Sequence, residues 1–220
     1  MKKIIIGAGV LALLASTASA SEMAGPYGKL LFGYGHADNY KLTWVTAAGK
    51  DHKKARGRGF LGAVAFGYAF PDTNWRADLE YFADDGLKGH KGLFDIQQRV
   101  KVKSSIGFVN AYYDFINKGK MTPFVIGGLG WGHTKTEFNN DYGKATATKS
   151  NFGLQLGVGI AYEVMKNAAF EVGYRFIYQG NKKLNFSQTL PTVPGGSIYW
   201  KIKKQSGEIH TALAGFRVYF

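Results

Sequence analysis

Apolar and non-apolar residues alternate along much of this chain. In the clearest segment, Phe152 to Val164, every second residue is apolar or aromatic, and the residues between are mostly Gly and Ala. Phe170 to Tyr178 repeats the pattern after a short connection, and 60–70 and 75–81 alternate in the same way on either side of a turn at 71–74. A period of two residues with turn residues between the runs predicts β-hairpins.

The alternation predicts about eight strands. They lie near residues 26–36, 59–70, 74–84, 102–115, 122–135, 151–164, 168–180 and 207–220. For the fifth strand, Gly127, Gly128, Gly130 and Gly132 leave open which face is turned inward.

The two faces of these strands separate a membrane barrel from a soluble β-sandwich. The polar face of a sandwich meets water and carries Lys, Thr and Ser freely. Here that face is mostly Gly and Ala with a few charges, which suits the inside of a narrow closed barrel, and the other face is large and aromatic, as expected against lipid. The sequence therefore predicts an all-β fold, an eight-stranded antiparallel up-and-down transmembrane β-barrel.

Several charged residues are predicted to point into this barrel. They are Arg76, Asp78, Glu80, Glu163, Glu171, Arg175 and Arg217. Because unpaired buried charge is costly, we expect them to form ion pairs. Side chains just fill the interior of an eight-stranded barrel, so a closed or very narrow barrel is expected, with a small porin as the alternative.

The first residues look like an export signal. Lys2 and Lys3 precede an apolar run, residues 4–15, and Ala18-Ser19-Ala20 has the form of a cleavage site. The run is shorter than the roughly 20 apolar residues of a membrane-spanning helix. Residues 4–9 also look like the start of a dinucleotide-binding fold, but the required helix and second strand do not follow. We predict a signal peptide at 1–20 and a barrel domain at 21–220.

The composition is basic and aromatic. The chain has 30 Gly, 16 Phe, 13 Tyr and a formal charge of +13, and without Cys it offers neither a disulfide nor a thiolate metal site. A basic balance points to an anionic partner. A nucleic-acid role does not fit, because the charge lies on connections of an exported barrel.

The connections between strands are alternately short and long. Short ones are predicted at 71–73, 116–121 and 165–167, and long ones at 37–58, 85–101, 136–150 and 181–206. This asymmetry is typical of outer-membrane barrels, whose long loops face outside. The candidate binding surface consists of basic residues in the first and last long connections: Lys50, Lys53, Lys54, Arg56, Arg58, Lys182, Lys183, Lys201, Lys203 and Lys204. They either balance anionic lipopolysaccharide or bind host polyanions such as sulfated glycans.

Two hairpins carry a family resemblance. Residues 107–115 with 122–131, and 157–163 with 171–176, resemble the opacity-type family of small outer-membrane barrels, which is similar to the transmembrane domain of outer membrane protein A. The end of the chain, with Phe216, Val218 and the terminal Phe220 at alternate positions, is similar to the recognition signal for the barrel assembly machinery. The resemblance implies a surface antigen, adhesin or structural component of the envelope.

Catalysis has weak support in the sequence. Lipid A deacylase barrels use a His with a Ser two residues on, but the residue two positions after His210 is Ala. The other histidines, His36, His52, His90 and His133, form no metal-ligand or triad spacing.

We therefore expect a monomeric, non-enzymatic surface protein of a Gram-negative outer membrane, without cofactor. A lipid A-modifying enzyme is a less favoured alternative than a porin. The expected partners are outer-membrane lipid and lipopolysaccharide, the barrel assembly machinery and host-surface polyanions.

Overall fold

The computed structural model describes residues 24–46, 49–93, 96–116, 119–140, 143–180, 182–189, 197–205 and 207–220. The expected signal peptide at 1–20 lies outside these residues. Within them, no helix combines the length and apolarity needed to cross a membrane. The strands are β1 Gly25–Thr46, β2 Gly49–Ala69, β3 Trp75–Asp84, β4 Leu87–Leu93, β5 Ile96–Asp114, β6 Met121–Asn140, β7 Gly143–Met165, β8 Ala168–Tyr178, β9 Lys182–Thr189, β10 Ser197–Gln205 and β11 Glu208–Tyr219.

Eight of these strands close into an antiparallel barrel, in the order β1, β2, β3, β5, β6, β7, β8 and β11. The seam is formed by β11 and β1, which pair from Tyr27 opposite Tyr219 to Ala37 opposite Ile209. Each barrel strand coincides with one of the eight predicted segments, which extend past the strand ends by at most two residues, and the predicted fold class is confirmed.

Much of the predicted long connections is paired strand rather than loop. β1 and β2 continue beyond the barrel wall and stay paired from Tyr40 opposite Ala55 to Thr46 opposite Gly49. β4 pairs with β2 and β5, and β10 pairs with β1 and β9. The prediction of four long loops was wrong to this extent, because these segments satisfy their backbone donors and acceptors by extending the sheet.

Glycines lie where two strands of the barrel wall end and these extensions begin. Gly86 stands between β3 and β4 with φ of 99°, and Gly180 stands between β8 and β9 with φ of 41°. Such φ values favour glycine, which lacks a Cβ. The extensions can therefore change direction relative to the barrel wall.

The outward surface of the wall is apolar. Leu79, Val109, Leu129 and Val158 are all more than half exposed on it. At the end with the short turns, Trp75, Tyr113 and Phe115 form edge-to-face ring contacts. From Met121 to Trp131 on β6, a rise of about 3.4 Å per residue and a tilt of about 40° give a height of about 26 Å, which matches the apolar band of an outer-membrane barrel.

The structure also decides the facing of β6. Gly128, Gly130 and Gly132 are buried inward-facing residues. A Cβ at Gly128 would lie 2.0 Å from Oδ1 of Asn110, and one at Gly130 would lie 2.5 Å from the ring of Phe108. Large inward side chains of β5 therefore occupy the space that the glycines of β6 leave free.

Candidate functional site

A buried ion-pair network fills the middle of the barrel. Lys29 of β1 lies with its Nζ 2.7 Å from Oδ2 of Asp78 and 3.7 Å from Oε2 of Glu80. Arg175 of β8 reaches across the lumen and donates from Nη1 to both carboxylate oxygens of Glu80, at 2.6 and 2.8 Å. All four residues are at most 3 % exposed. Burial at this depth requires the pairing that is observed.

Neutral polar side chains complete this network. Asn110 donates to Oδ1 of Asp78 at 2.7 Å, and Gln155 donates to Oε1 of Glu80 at 3.3 Å and to Oδ1 of Asn110. Lys29 donates to the hydroxyl of Tyr112 at 2.5 Å. The carboxylates of Asp78 and Glu80 thus accept hydrogen bonds from side chains of different strands, which connects β1, β3, β5, β7 and β8 across the lumen.

A second group of charges lies nearer the short-turn end. Arg76 donates from Nε to the carboxylate of Asp114 at 2.8 and 3.0 Å. Oε1 of Glu171 lies 3.2 Å from Nη1 of Arg76 and 2.8 Å from Nη1 of Arg217. The guanidinium of Arg76 also lies 4.0 Å from the centre of the Tyr112 ring, and this cation–π contact stabilises its positive charge. Together the two groups contain four basic and four acidic residues in ion pairs.

Above the charges the lumen becomes apolar and then polar again. Inward-facing buried residues form the apolar layer: Leu61, Phe82, Ile106, Phe108, Ile177 and Leu213. Nearer the end opposite the short turns, Asp84 accepts from the backbone N–H groups of Gly86 and Ser104 at 2.9 and 2.8 Å, and Thr134 donates to Gln179 at 3.0 Å. Side chains therefore fill the described lumen at successive levels.

The structure places six of the seven charged residues predicted for the interior in these groups: Arg76, Asp78, Glu80, Glu171, Arg175 and Arg217. Glu163 is only half-buried and forms no ion pair with a described residue, because it lies near the short turn between β7 and β8. Lys29 and Asp114 were not among the residues predicted for the interior. The signal for Lys29 was available, since it alternates with the outward-facing Leu30 and Phe32.

The first and last of the predicted long connections form one continuous sheet, which we call the basic sheet: the parts of β1 and β2 between residues 37 and 58, with β10 and β9. Its segments 37–58, 182–189 and 197–205 contain eleven basic and two acidic residues. All ten residues of the predicted basic surface fall on its strands. The side chain of Arg58 is exposed, and those of the other nine lie outside the described part.

The register of the basic sheet brings lysines of distant segments together. Lys41 is the backbone partner of Lys54 on one side and of Lys204 on the other, so that the three form one cross-strand row. Lys182 is the partner of Gln205, the residue next to Lys204. The sequence alone could not show this row, because its members are separated along the chain by up to 163 positions.

The predicted assembly signal lies on the outward side of the seam. Phe216 is 54 % exposed and its ring lies 5.2 Å from that of Phe170. Val218 pairs with Gly28, and the ring of Phe220 stacks on Phe66 at 6.4 Å. The backbone N–H of Phe220 donates to the carbonyl of Pro26 at 3.1 Å, which ties the end of the chain to β1.

Two histidine contacts on the outward surface bear on catalysis. His36 and His210 stack at 5.0 Å, and Nδ1 of His133 lies 3.0 Å from Oγ of Ser150. The His133–Ser150 pair joins β6 and β7 and was not foreseen. No carboxylate among the described residues pairs with His133, so the orienting member of a triad is not seen there. The described residues contain no group of three metal-ligating side chains.

Comparisons with known proteins agree with this architecture. The family model for the outer membrane protein beta-barrel domain matches residues 6–192. Outer membrane protein PagN of Salmonella typhimurium is 28 % identical over 143 residues, which are 57 % of this chain and 60 % of PagN. Putative adhesin RC1281 of Rickettsia conorii is 26 % identical over 175 residues, 72 % of this chain and 67 % of that protein.

Among solved structures, Neisserial surface protein A is similar in fold. It superimposes with a TM-score of 0.54 at 18 % identity, and the match covers 92 % of this chain and 100 % of the other. The closed barrel, the lipid-facing apolar band and the matched family model agree on location as well as on fold. The chain belongs to the outer membrane protein beta-barrel domain family, as a small eight-stranded barrel of the opacity type in a Gram-negative outer membrane.

Proposed function

We propose that this protein is a non-enzymatic adhesin of the bacterial surface that binds polyanions through the basic sheet. The observation that carries the proposal is the cross-strand row Lys54–Lys41–Lys204 within a sheet of eleven basic and two acidic residues. Neighbouring strands are about 4.8 Å apart, and like charges directly opposite each other destabilise a sheet. A bound polyanion removes this repulsion.

The contrast between the barrel wall and the basic sheet supports the same conclusion. The ion-paired charges of the lumen are balanced, four basic against four acidic. The excess positive charge lies instead beyond the apolar band, where a soluble or cell-surface polyanion has access and where long-range attraction speeds encounter. The similarity to putative adhesin RC1281 of Rickettsia conorii supports this role.

The triple variant Lys41→Gln, Lys54→Gln, Lys204→Gln is expected to bind heparin about a hundredfold more weakly than the unchanged protein. The reason is that each lysine supplies a charge-assisted contact to a sulfate, and three losses of about fivefold each multiply to about a hundredfold. Binding is measured on purified, folded protein at several salt concentrations, and the variant should show a shallower dependence on salt.

The matched control is Lys91→Gln, Lys144→Gln, Lys149→Gln, which removes the same charge from other extracellular strands. The control should retain most of the affinity. An equal loss in both variants would mean that heparin responds to net charge alone and would overturn the assignment to the row.

A small channel is the alternative function, and the filled lumen argues against it. The protein is expected to give no large, stable conductance steps in planar lipid bilayers, because Lys29, Arg175 and Glu80 lie across the lumen below an apolar layer. Addition of the detergent buffer alone serves as the control. Regular ion-conducting steps that scale with the amount of protein would contradict the closed lumen.

A further inference from the structure

A polar cluster borders the lipid-facing apolar band on the side of the barrel away from the seam. Ser105 of β5, His133 of β6 and Ser150 of β7 are direct backbone partners and form one cross-strand row that faces outward. Lys103 and Lys135 form the next row toward the extracellular end. We call these five residues the outer platform.

Side-chain contacts hold the outer platform together. Ser150 and His133 are hydrogen-bonded at 3.0 Å, and the hydroxyl of Tyr81 on β3 is hydrogen-bonded to Oγ of Ser105. His133, Ser150 and Tyr81 are all exposed, so their remaining donors and acceptors face the surroundings of the barrel. The platform therefore offers hydroxyl and imidazole groups just beyond the apolar band, which ends at Trp131 on β6.

The charge next to the platform is positive. Lys135 forms an ion pair with Glu137 at 3.0 Å, and Lys101 pairs through the backbone with Glu137. The hydrogen bond from Lys135 lowers the pKa of the Glu137 carboxyl, and Lys103 and Lys101 act in the same direction. With Glu137 ionised, Lys101, Lys103 and Lys135 still leave two positive charges that it does not balance.

Aromatic residues lie directly below the platform, toward the middle of the membrane. Trp131 and Phe152 are cross-strand partners and are 62 % and 52 % exposed. Gly107 is the cross-strand partner of both Tyr81 and Trp131. A Cβ added at Gly107 would have only the carbonyl oxygen of Trp131 within 4 Å, at 3.9 Å. The surface is therefore indented between two rings, just below the hydroxyl groups of the platform.

We propose that the outer platform binds the phosphorylated sugar headgroup of an outer-leaflet glycolipid, lipopolysaccharide. Lys103 and Lys135 contact the phosphate, the hydroxyl and imidazole groups contact the sugar, and the acyl chains lie against Trp131 and Phe152. The vertical order of the residues carries this assignment. Apolar side chains, then hydroxyl and imidazole groups, then lysines follow one another outward across β5, β6 and β7, in the order of acyl chain, sugar and phosphate in such a lipid. Trp and Tyr favour this interface. Charge complementarity selects an anionic headgroup over a zwitterionic one.

The test compares two forms of one lipid. Affinity for bisphosphorylated lipid A and for enzymatically dephosphorylated lipid A is measured with the full, folded barrel in zwitterionic micelles. The variant Lys103→Gln, Lys135→Gln is expected to bind the phosphorylated form about tenfold more weakly and the dephosphorylated form with unchanged affinity. The matched control, Lys120→Gln, Lys166→Gln, removes two exposed lysines at the short-turn end and should change neither affinity.

Two further measurements fix the interpretation. The double variant His133→Ala, Ser150→Ala should bind both forms of lipid A more weakly, because these two side chains are assigned to the sugar. An equal loss for both forms in the lysine variant, or an equal loss of affinity for phosphatidylglycerol vesicles, would overturn the headgroup assignment. The lysine variant should also bind heparin like the unchanged protein, so this result is separate from the test of the basic sheet.

Discussion

Replacement of Arg175 by methionine is expected to lower the free energy of unfolding by about 3–5 kcal/mol. The guanidinium donates to both oxygens of Glu80, and both side chains are almost fully buried in the lumen. Methionine preserves much of the volume but, among the residues that the structure describes, leaves Glu80 with the more distant Lys29, at 3.7 Å, as its cationic partner. The cost is that of a buried carboxylate that has lost its main counter-ion.

The double variant Arg175→Met, Glu80→Leu separates the lost pair from lost packing. It should be clearly more stable than Arg175→Met, because the unpaired charge is gone and Lys29 keeps its 2.7 Å contact with Asp78. Stability is measured by denaturant unfolding in phospholipid vesicles, followed by tryptophan fluorescence. The exposed outward residue Arg58, changed to methionine, is the control and should alter stability by no more than about 0.5 kcal/mol. A single variant as stable as the control would contradict an ion pair at the core of the barrel.

Residue alternation predicted which way the charges point but not how they pair. Arg76 and Asp78 are two positions apart on β3 and therefore share a face, so both could be assigned to the lumen from the sequence. Their partners come from elsewhere: Arg76 pairs with Asp114 of β5 and with Glu171 of β8, and Asp78 pairs with Lys29 of β1. These partners depend on strand register and on side-chain reach across the lumen, which the sequence does not specify.

The strand extensions beyond the wall were less predictable than the wall itself. Within the wall, a slip of one residue would turn the apolar face away from lipid, so the hydrophobic pattern fixes the register. The extensions have no such constraint from lipid. The ten basic residues were visible in the sequence, but the pairing of β10 with β1 that joins the first and last connections was not. The His133–Ser150 pair was missed for the same reason, since it joins two strands.

Two glycines allow the first and last strands to approach closely at the seam that closes the barrel. Gly33 of β1 and Gly215 of β11 are inward positions at which a Cβ would lie 1.9 Å from a backbone oxygen, that of Ala212 and that of Leu30 respectively. Backbone cannot yield as a flexible side chain can. Alanine at either glycine should therefore push the first and last strands apart, at a cost of about 1–3 kcal/mol for each substitution.

Gly107→Ala is the matched control for this seam. Gly107 faces outward, and an added Cβ there has no atom nearer than 3.9 Å, so alanine should be neutral or slightly stabilising because it restricts the unfolded chain. Folded and unfolded fractions are compared on unheated gels, and stabilities are compared by denaturant unfolding in vesicles. If Gly33→Ala and Gly215→Ala were as stable as Gly107→Ala, the close approach of β1 and β11 could not be what requires glycine. Closure would then depend on the other contacts at the seam, such as the tilted ring contact between Tyr27 and Tyr219 at 5.6 Å.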